Sequence, residues 1–145
     1  MSASTKLSNS VKALCFLAET YPEPQSSVSI SNKIGVNASK LRKLLSLLAK
    51  NNIVESVKGT NGGFVLKKTP KKIHLQEIYC SIEDRKAFHL HVNKDGGNSQ
   101  DVSQKFNDYF LDLFADVQVD IEKKMMKISL KSILEKIGIK SAYKS

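Results

Sequence analysis

Apolar residues in the first fifty positions recur at helical spacing, with breaks where the chain must turn. Val11, Leu14, Ala18 and Tyr21 lie three and four residues apart, so Ser8 to Tyr21 is expected to form an amphipathic helix that Pro22 and Pro24 stop. Ser29 offers a cap for a short helix, Ile30 to Ile34, ended by Gly35. Asn37 offers a second cap, for a longer helix from Ala38 to about Asn51. In that helix Leu41, Leu44, Leu45 and Leu48 share one face. Ser39, Lys43, Ser46 and Lys50 lie opposite, flanked by Lys40 and Arg42. Two helices are thus expected to meet at a tight turn, the second with an apolar inner face and a basic outer one.

The pattern then changes period. Ile53-Val54-Glu55-Ser56-Val57 and Phe64-Val65-Leu66 read as two short strands. Between them Lys58-Gly59-Thr60-Asn61-Gly62-Gly63 makes an exposed basic tip, its glycines supplying the positive φ angles a tight loop needs. Lys67, Lys68, Lys71 and Lys72 form a charge run around Pro70, and Leu75, Ile78, Tyr79 and Ile82 mark another helix. Residues Asp84 to Ser99 are the least regular. From about Gln100 to Lys127, Val102, Phe106, Tyr109, Phe110, Leu113, Val117 and Ile121 form the stripe of a long helix, and a short helix follows to Ile137. The expected fold is mostly α with a small β-hairpin wing, a winged helix-turn-helix plus a long dimerisation helix. Its divisions are a DNA-binding region at 1–84, a connecting loop at 85–99, and the dimerisation and C-terminal helices at 100–145, all within one compact domain.

Charge sharpens this picture. The 145 residues carry a formal charge of +9. Residues 1–72 hold 12 Lys and Arg against Glu19, Glu23 and Glu55, whereas residues 73–145 hold 11 of each sign. The whole excess is N-terminal, which argues for a polyanion partner on that half, because neutralising phosphates releases condensed counterions. An ordinary solvated surface would mix its signs. Two cysteines, Cys15 and Cys80, make neither a disulfide framework nor a four-ligand zinc site, and the longest apolar run, Ala13 to Ala18, is far short of a membrane span. A soluble cytoplasmic protein without membrane partners is expected. No nucleophile, acid–base pair or phosphate loop is recognisable, so no enzyme is expected.

A recognition helix fits the major groove, where base edges differ, while lysines and backbone amides hold phosphates. The candidate DNA-binding residues are therefore Ser29, Asn37, Ser39, Lys40, Arg42, Lys43, Ser46 and Lys50, with Lys58, Thr60 and Asn61 on the wing. Non-DNA use of the fold as a protein-interaction module is the rival reading.

Several stretches resemble one family. They are Lys6-Leu7-Ser8, Ala13-Leu14 to Leu17-Ala18, Val28 through Ile34, Leu41, Leu44 and Leu48, Ile53 to Gly59 with Gly62 to Leu66, and Ile73-His74-Leu75 to Ile82-Glu83. They are similar to the Rrf-two family of bacterial transcription regulators, relatives of IscR, NsrR and CymR. The second half, with Phe88 and His91, is similar to the YwnA-like branch. The resemblance implies a homodimeric DNA-binding repressor with a recognition helix, a wing and a long dimerisation helix; a double-stranded, palindromic operator and an unknown small-molecule effector or stress signal are expected beside it. Cluster-bearing members place three cysteines before the long helix, and this chain has none from Arg85 to Phe106, so no iron–sulfur cluster is expected. Lys58 stands where many relatives have arginine, which suits phosphate more than a narrow minor groove.

A helix of about 28 residues spans roughly 42 Å, comparable with the width of a domain this size, so a monomer would leave part of the stripe wet. Phe106, Phe110, Leu113, Val117 and Ile121, with Phe16 of the first helix, are the candidate dimer contacts. Asp108, Asp112, Asp116 and Asp120 form a like-charge row at i, i+4 spacing, read as a solvated face that also repels DNA. Cys80, His89 and His91 are the candidate effector or redox positions. His89 and His91, with His74, lack the carboxylate or cysteine set of a metal site, so no metal is expected. Cys15 is expected to be a packed thiol and Cys80 an accessible one. A thiol-based redox switch is the alternative to a small effector.

Overall fold

The computed structural model describes residues 2–83 and 102–144. Helix α1 runs Ala3–Thr20, beginning more than a turn before the apolar spacing indicates, because the Ser2 hydroxyl accepts the Thr5 N–H at 3.2 Å and caps it. Helix α2 is Ser27–Ile34, and its cap is Ser26 rather than Ser29. The Ser29 N–H donates to Ser26 Oγ at 3.0 Å, while its hydroxyl donates to Gln25 Oε1 at 2.9 Å. Gly35 ends α2 in the left-handed region, and its N–H donates to the Ser31 carbonyl at 2.8 Å. Asn37 caps helix α3, Ala38–Lys50, as expected, its Oδ1 accepting from the N–H groups of Ser39 and Lys40.

Strands β1, Val54–Val57, and β2, Gly63–Leu66, pair antiparallel with Val54 opposite Leu66 and Val57 opposite Gly63. Gly63 has φ +156°, and a Cβ there would collide with the Gln25 backbone. That close approach lets Gln25 and Phe64 exchange two backbone hydrogen bonds, at 3.0 and 2.8 Å, tying the wing to the connector before α2. A 3₁₀ turn at Pro70–Lys72 leads to α4, Leu75–Ile82. The remaining helices are α5, Val102–Met126, and α6, Leu130–Ile137.

Leu14, Leu17, Ile30, Leu41, Leu45, Leu48, Ile53, Ile73, Ile78 and Leu130 are fully buried. Each such side chain is worth about 1.5–3 kcal/mol against exposure. Leu130 ties the end of the chain to the N-terminal elements. Its N–H donates to the Ile73 carbonyl at 2.7 Å, the Leu75 N–H donates to Ile128 at 2.8 Å, and the Ala142 N–H donates to Ala18 at 2.8 Å. Met125–Ser145 accordingly belongs to one compact unit with Met1–Asp84, and Arg85–Lys124 forms the other. Among the described residues no helix is long and apolar enough to cross a membrane.

Candidate nucleic-acid interface

The leucine stripe of α3 is buried in the N-terminal unit, so the opposite face must look outward. Ser39, Lys40, Arg42, Lys43, Ser46 and Lys50 are all exposed. Between Glu23 and Glu77 the sequence contains one acid, Glu55, so this surface has almost nothing to neutralise it. Arg42 is steadied by a hydrogen bond from Nη2 to the buried Ser27 Oγ at 3.3 Å, which links α3 to α2. Such a tether limits the rotamers a long side chain must give up on binding.

Lys58, Thr60 and Asn61 are exposed on the loop between β1 and β2. Gly59, at φ +117°, permits the turn that the Gly62 N–H closes onto the Gly59 carbonyl at 3.0 Å. In the charge run, Lys68 is paired with Glu77, and Lys67 donates to Asn52 Oδ1 at 3.1 Å. Two of those four lysines thus have partners within the chain.

Not every proposed contact is equally free. Ser29 is half-buried with its hydroxyl committed to Gln25, and the Asn37 carboxamide oxygen is committed to the cap, leaving its amide nitrogen as donor. The spacing along α3 also gave no sign of Lys6, which the fold brings from α1 to the flank of α3 beside Lys40 and Lys43. Tertiary placement, not local pattern, brings these amines together.

On α5, Phe106, Phe110 and Leu113 are exposed, while Val117 and Ile121 are half-buried. Phe110 sits at the centre of an aromatic row, its ring 6.5 Å from Phe106, 5.4 Å from Tyr109 and 5.7 Å from Phe114. Phe16 is half-buried against the core and lines an apolar cleft of about 310 Å³ with Val11, Cys15, Ile34, Ile137 and Ile139, rimmed by Lys12, Glu19 and Lys33.

Cys15 is buried, and desolvation pushes its thiol up to about 11. Cys80 is exposed on α4, with the Gln76 amide donating to Sγ at 3.2 Å. His89 and His91 lie outside the described residues, as does the loop at 85–99. Among the described residues no group of three His, Cys, Asp or Glu side chains is placed to hold a metal ion.

A capped helix pair with a tight turn, an outward basic helix and a two-stranded basic wing define a winged helix-turn-helix protein. The Rrf2 family, described as iron-dependent transcriptional regulators, matches residues 3–136, and the chain belongs to it. It is similar to the HTH-type transcriptional regulator IscR of Klebsiella pneumoniae (strain 342), at 36% identity over 67 residues, which cover 46% of this chain and 40% of that one. The chain spans about half or less of the length of the curated relatives it matches. Among solved structures, T. potens IscR superposes with a TM-score of 0.69 and 25% identity, covering 94% of this chain and 88% of that one. CymR, the global cysteine regulator of B. subtilis, superposes with a TM-score of 0.69 and 21% identity, covering 94% and 98%.

Proposed function

We propose that the chain is a cytoplasmic, homodimeric repressor of bacterial transcription that binds a palindromic operator in double-stranded DNA. The observation that carries this reading is the coincidence of exposed cations on α3 and on the wing within a stretch holding one acid. Twofold readers place two such helices about one DNA turn apart, and the exposed aromatic row of α5 supplies a surface for pairing two copies. Family relatives named as transcriptional regulators support the same reading.

The donor set does not fit the cluster that an iron-dependent family implies. The whole sequence holds two cysteines, on α1 and α4, and Cys15 is buried with its thiol held protonated. Fe–S clusters are held chiefly by thiolates, so this member is proposed to work without one. A small ligand is the proposed signal, and the apolar cleft beside Ile34 at the end of α2 has a lining suited to one. Recovery of promoter fragments bound to the protein tests the reading. Selective enrichment of one palindrome, with binding that falls steeply with salt, is expected. Indifferent recovery of all fragments would replace it with sequence-blind nucleic-acid binding, and recovery of none with a protein-interaction module.

A further inference from the structure

Lys6 of α1 and Lys40 and Lys43 of α3 line one cleft of about 330 Å³ together with Leu44, Leu47 and Ile82. The Lys6 amine lies 3.4 Å from Glu83 Oε2, and the Glu83 side chain is only 11% exposed, so a largely buried carboxylate holds the amine at the cleft. Among the described residues no carboxylate pairs with Lys40 or Lys43. The cleft therefore combines a cationic with an apolar lining.

We infer that this cleft seats a deoxyribose-phosphate unit of the DNA strand bordering the groove that α3 enters, making Lys6 a further DNA-binding residue. The inference rests on the DNA-binding reading above. An α-helix with its side chains is about 10–12 Å across and the major groove about 12 Å wide, so the flanks of an inserted helix must meet the sugar–phosphate walls. The flank of α3 carrying Lys40 and Leu47 is the one that faces this cleft. A free phosphate would need polar donors all round, whereas here Leu47, 37% exposed, offers a surface that a deoxyribose face can cover while the amines meet the phosphate oxygens. Such a contact positions the protein without reading sequence, which is why the base-contact pattern on α3 gave no hint of it.

Because backbone contacts are sequence-independent, a short labelled duplex of mixed sequence is a sufficient probe, titrated with the full chain at several KCl concentrations. Lys6→Gln is expected to lower the slope of log affinity against log salt by about 0.9, the value for one phosphate, and Lys6→Arg to keep it. Leu47→Ser is expected to weaken binding with the slope unchanged, since it removes no charge. The double variant Lys6→Gln, Glu83→Gln is expected to keep the reduced slope. Its return to the wild-type slope would trace the effect to the uncovered Glu83 carboxylate and overturn the inference. A wild-type slope in Lys6→Gln would overturn it too. So would displacement of the duplex by inorganic phosphate beyond that by chloride at equal ionic strength, which would mark a free-anion site. Absence of salt-dependent binding in the wild type would instead remove the DNA-binding reading on which the inference stands.

Discussion

Helices α3 and α5 both carry an apolar stripe, but only α3 buries its stripe fully within the chain. Leu41, Leu45 and Leu48 of α3 are inaccessible, whereas Phe106 and Tyr109 of α5 are 58% and 62% exposed. Their polar faces differ as sharply: α3 presents Lys40, Arg42, Lys43 and Lys50, and α5 presents Asp108, Asp112, Asp116 and Asp120. One amphipathic pattern thus has two meanings. Where the chain itself covers the apolar side, the polar side is free to carry function. Where it does not, an exposed aromatic row is left on the surface, and the proposed pairing of two copies would cover it.

The strongest way to break this contrast is to charge the stripe of α5. Phe110→Asp or Leu113→Asp is expected to yield folded monomers that bind DNA poorly, because burying an unpaired carboxylate in a subunit contact costs several kcal/mol. Sedimentation showing an intact dimer in both variants would refute the role given to α5. Truncation on α3 should act differently. Leu45→Ala is expected to lower folding stability by about 2–5 kcal/mol in denaturant titration. Phe106→Ala, on the exposed row, should leave monomer stability nearly untouched and weaken assembly instead.

The contrast was only half legible in the sequence. The leucine spacing of α3, its Asn37 cap and the strand–glycine–strand pattern of the wing are local signals, and local hydrogen bonds realise them. Ser26, Ser27, Ser29 and Ser31 all compete to cap α2, and nothing in their spacing selects Ser26. The polar start of α1 hides a helix whose Asn9 and Ser10 are buried without an apolar mark. The return of the last twenty residues depends on backbone pairing of Ile73 with Leu130 and of Ala18 with Ala142, and on the Tyr21 and Tyr143 rings meeting at 4.3 Å. Long-range contacts of this kind leave no periodic trace, and the cleft holding Lys6 escaped the pattern for the same reason.

Smaller effects sharpen the polar side of the comparison. Arg42→Ala is expected to weaken operator binding by about 1–3 kcal/mol as a lost base-edge contact, read by anisotropy, and Lys43→Ala, in the phosphate cleft, to flatten the salt slope by about 0.9 with an unchanged thermal melt. Arg42→Ala should also release Ser27, its partner at 3.3 Å. Lys58→Ala is expected to lower affinity evenly across sequences and to flatten the salt slope by about 0.9. A change of base preference with the slope preserved would show that the wing reads bases instead.

The smallest expected effect concerns the two thiols. Burial holds the Cys15 thiol at about 11. An acid whose folded value is raised contributes stability present below the ordinary thiol value of 9.0 and lost as pH climbs toward 11, so the native state keeps Cys15 protonated near neutrality. Attack by oxidant requires a thiolate that solvent can reach, which leaves Cys80 as the candidate. Cys80 has the exposure, but among the described residues its side-chain hydrogen-bond neighbour is the neutral amide of Gln76, and no cation is placed beside it. A tenfold change in operator affinity would need only about 1.4 kcal/mol of coupling, so the switch is energetically modest and the chemistry decides. Iodoacetamide is expected to label Cys80 slowly and Cys15 only after unfolding. Cys80→Ser is expected to bind DNA as the wild type does, and peroxide to release wild-type binding little. Strong release of the wild type with none of Cys80→Ser would establish a thiol switch and displace the small ligand as the signal.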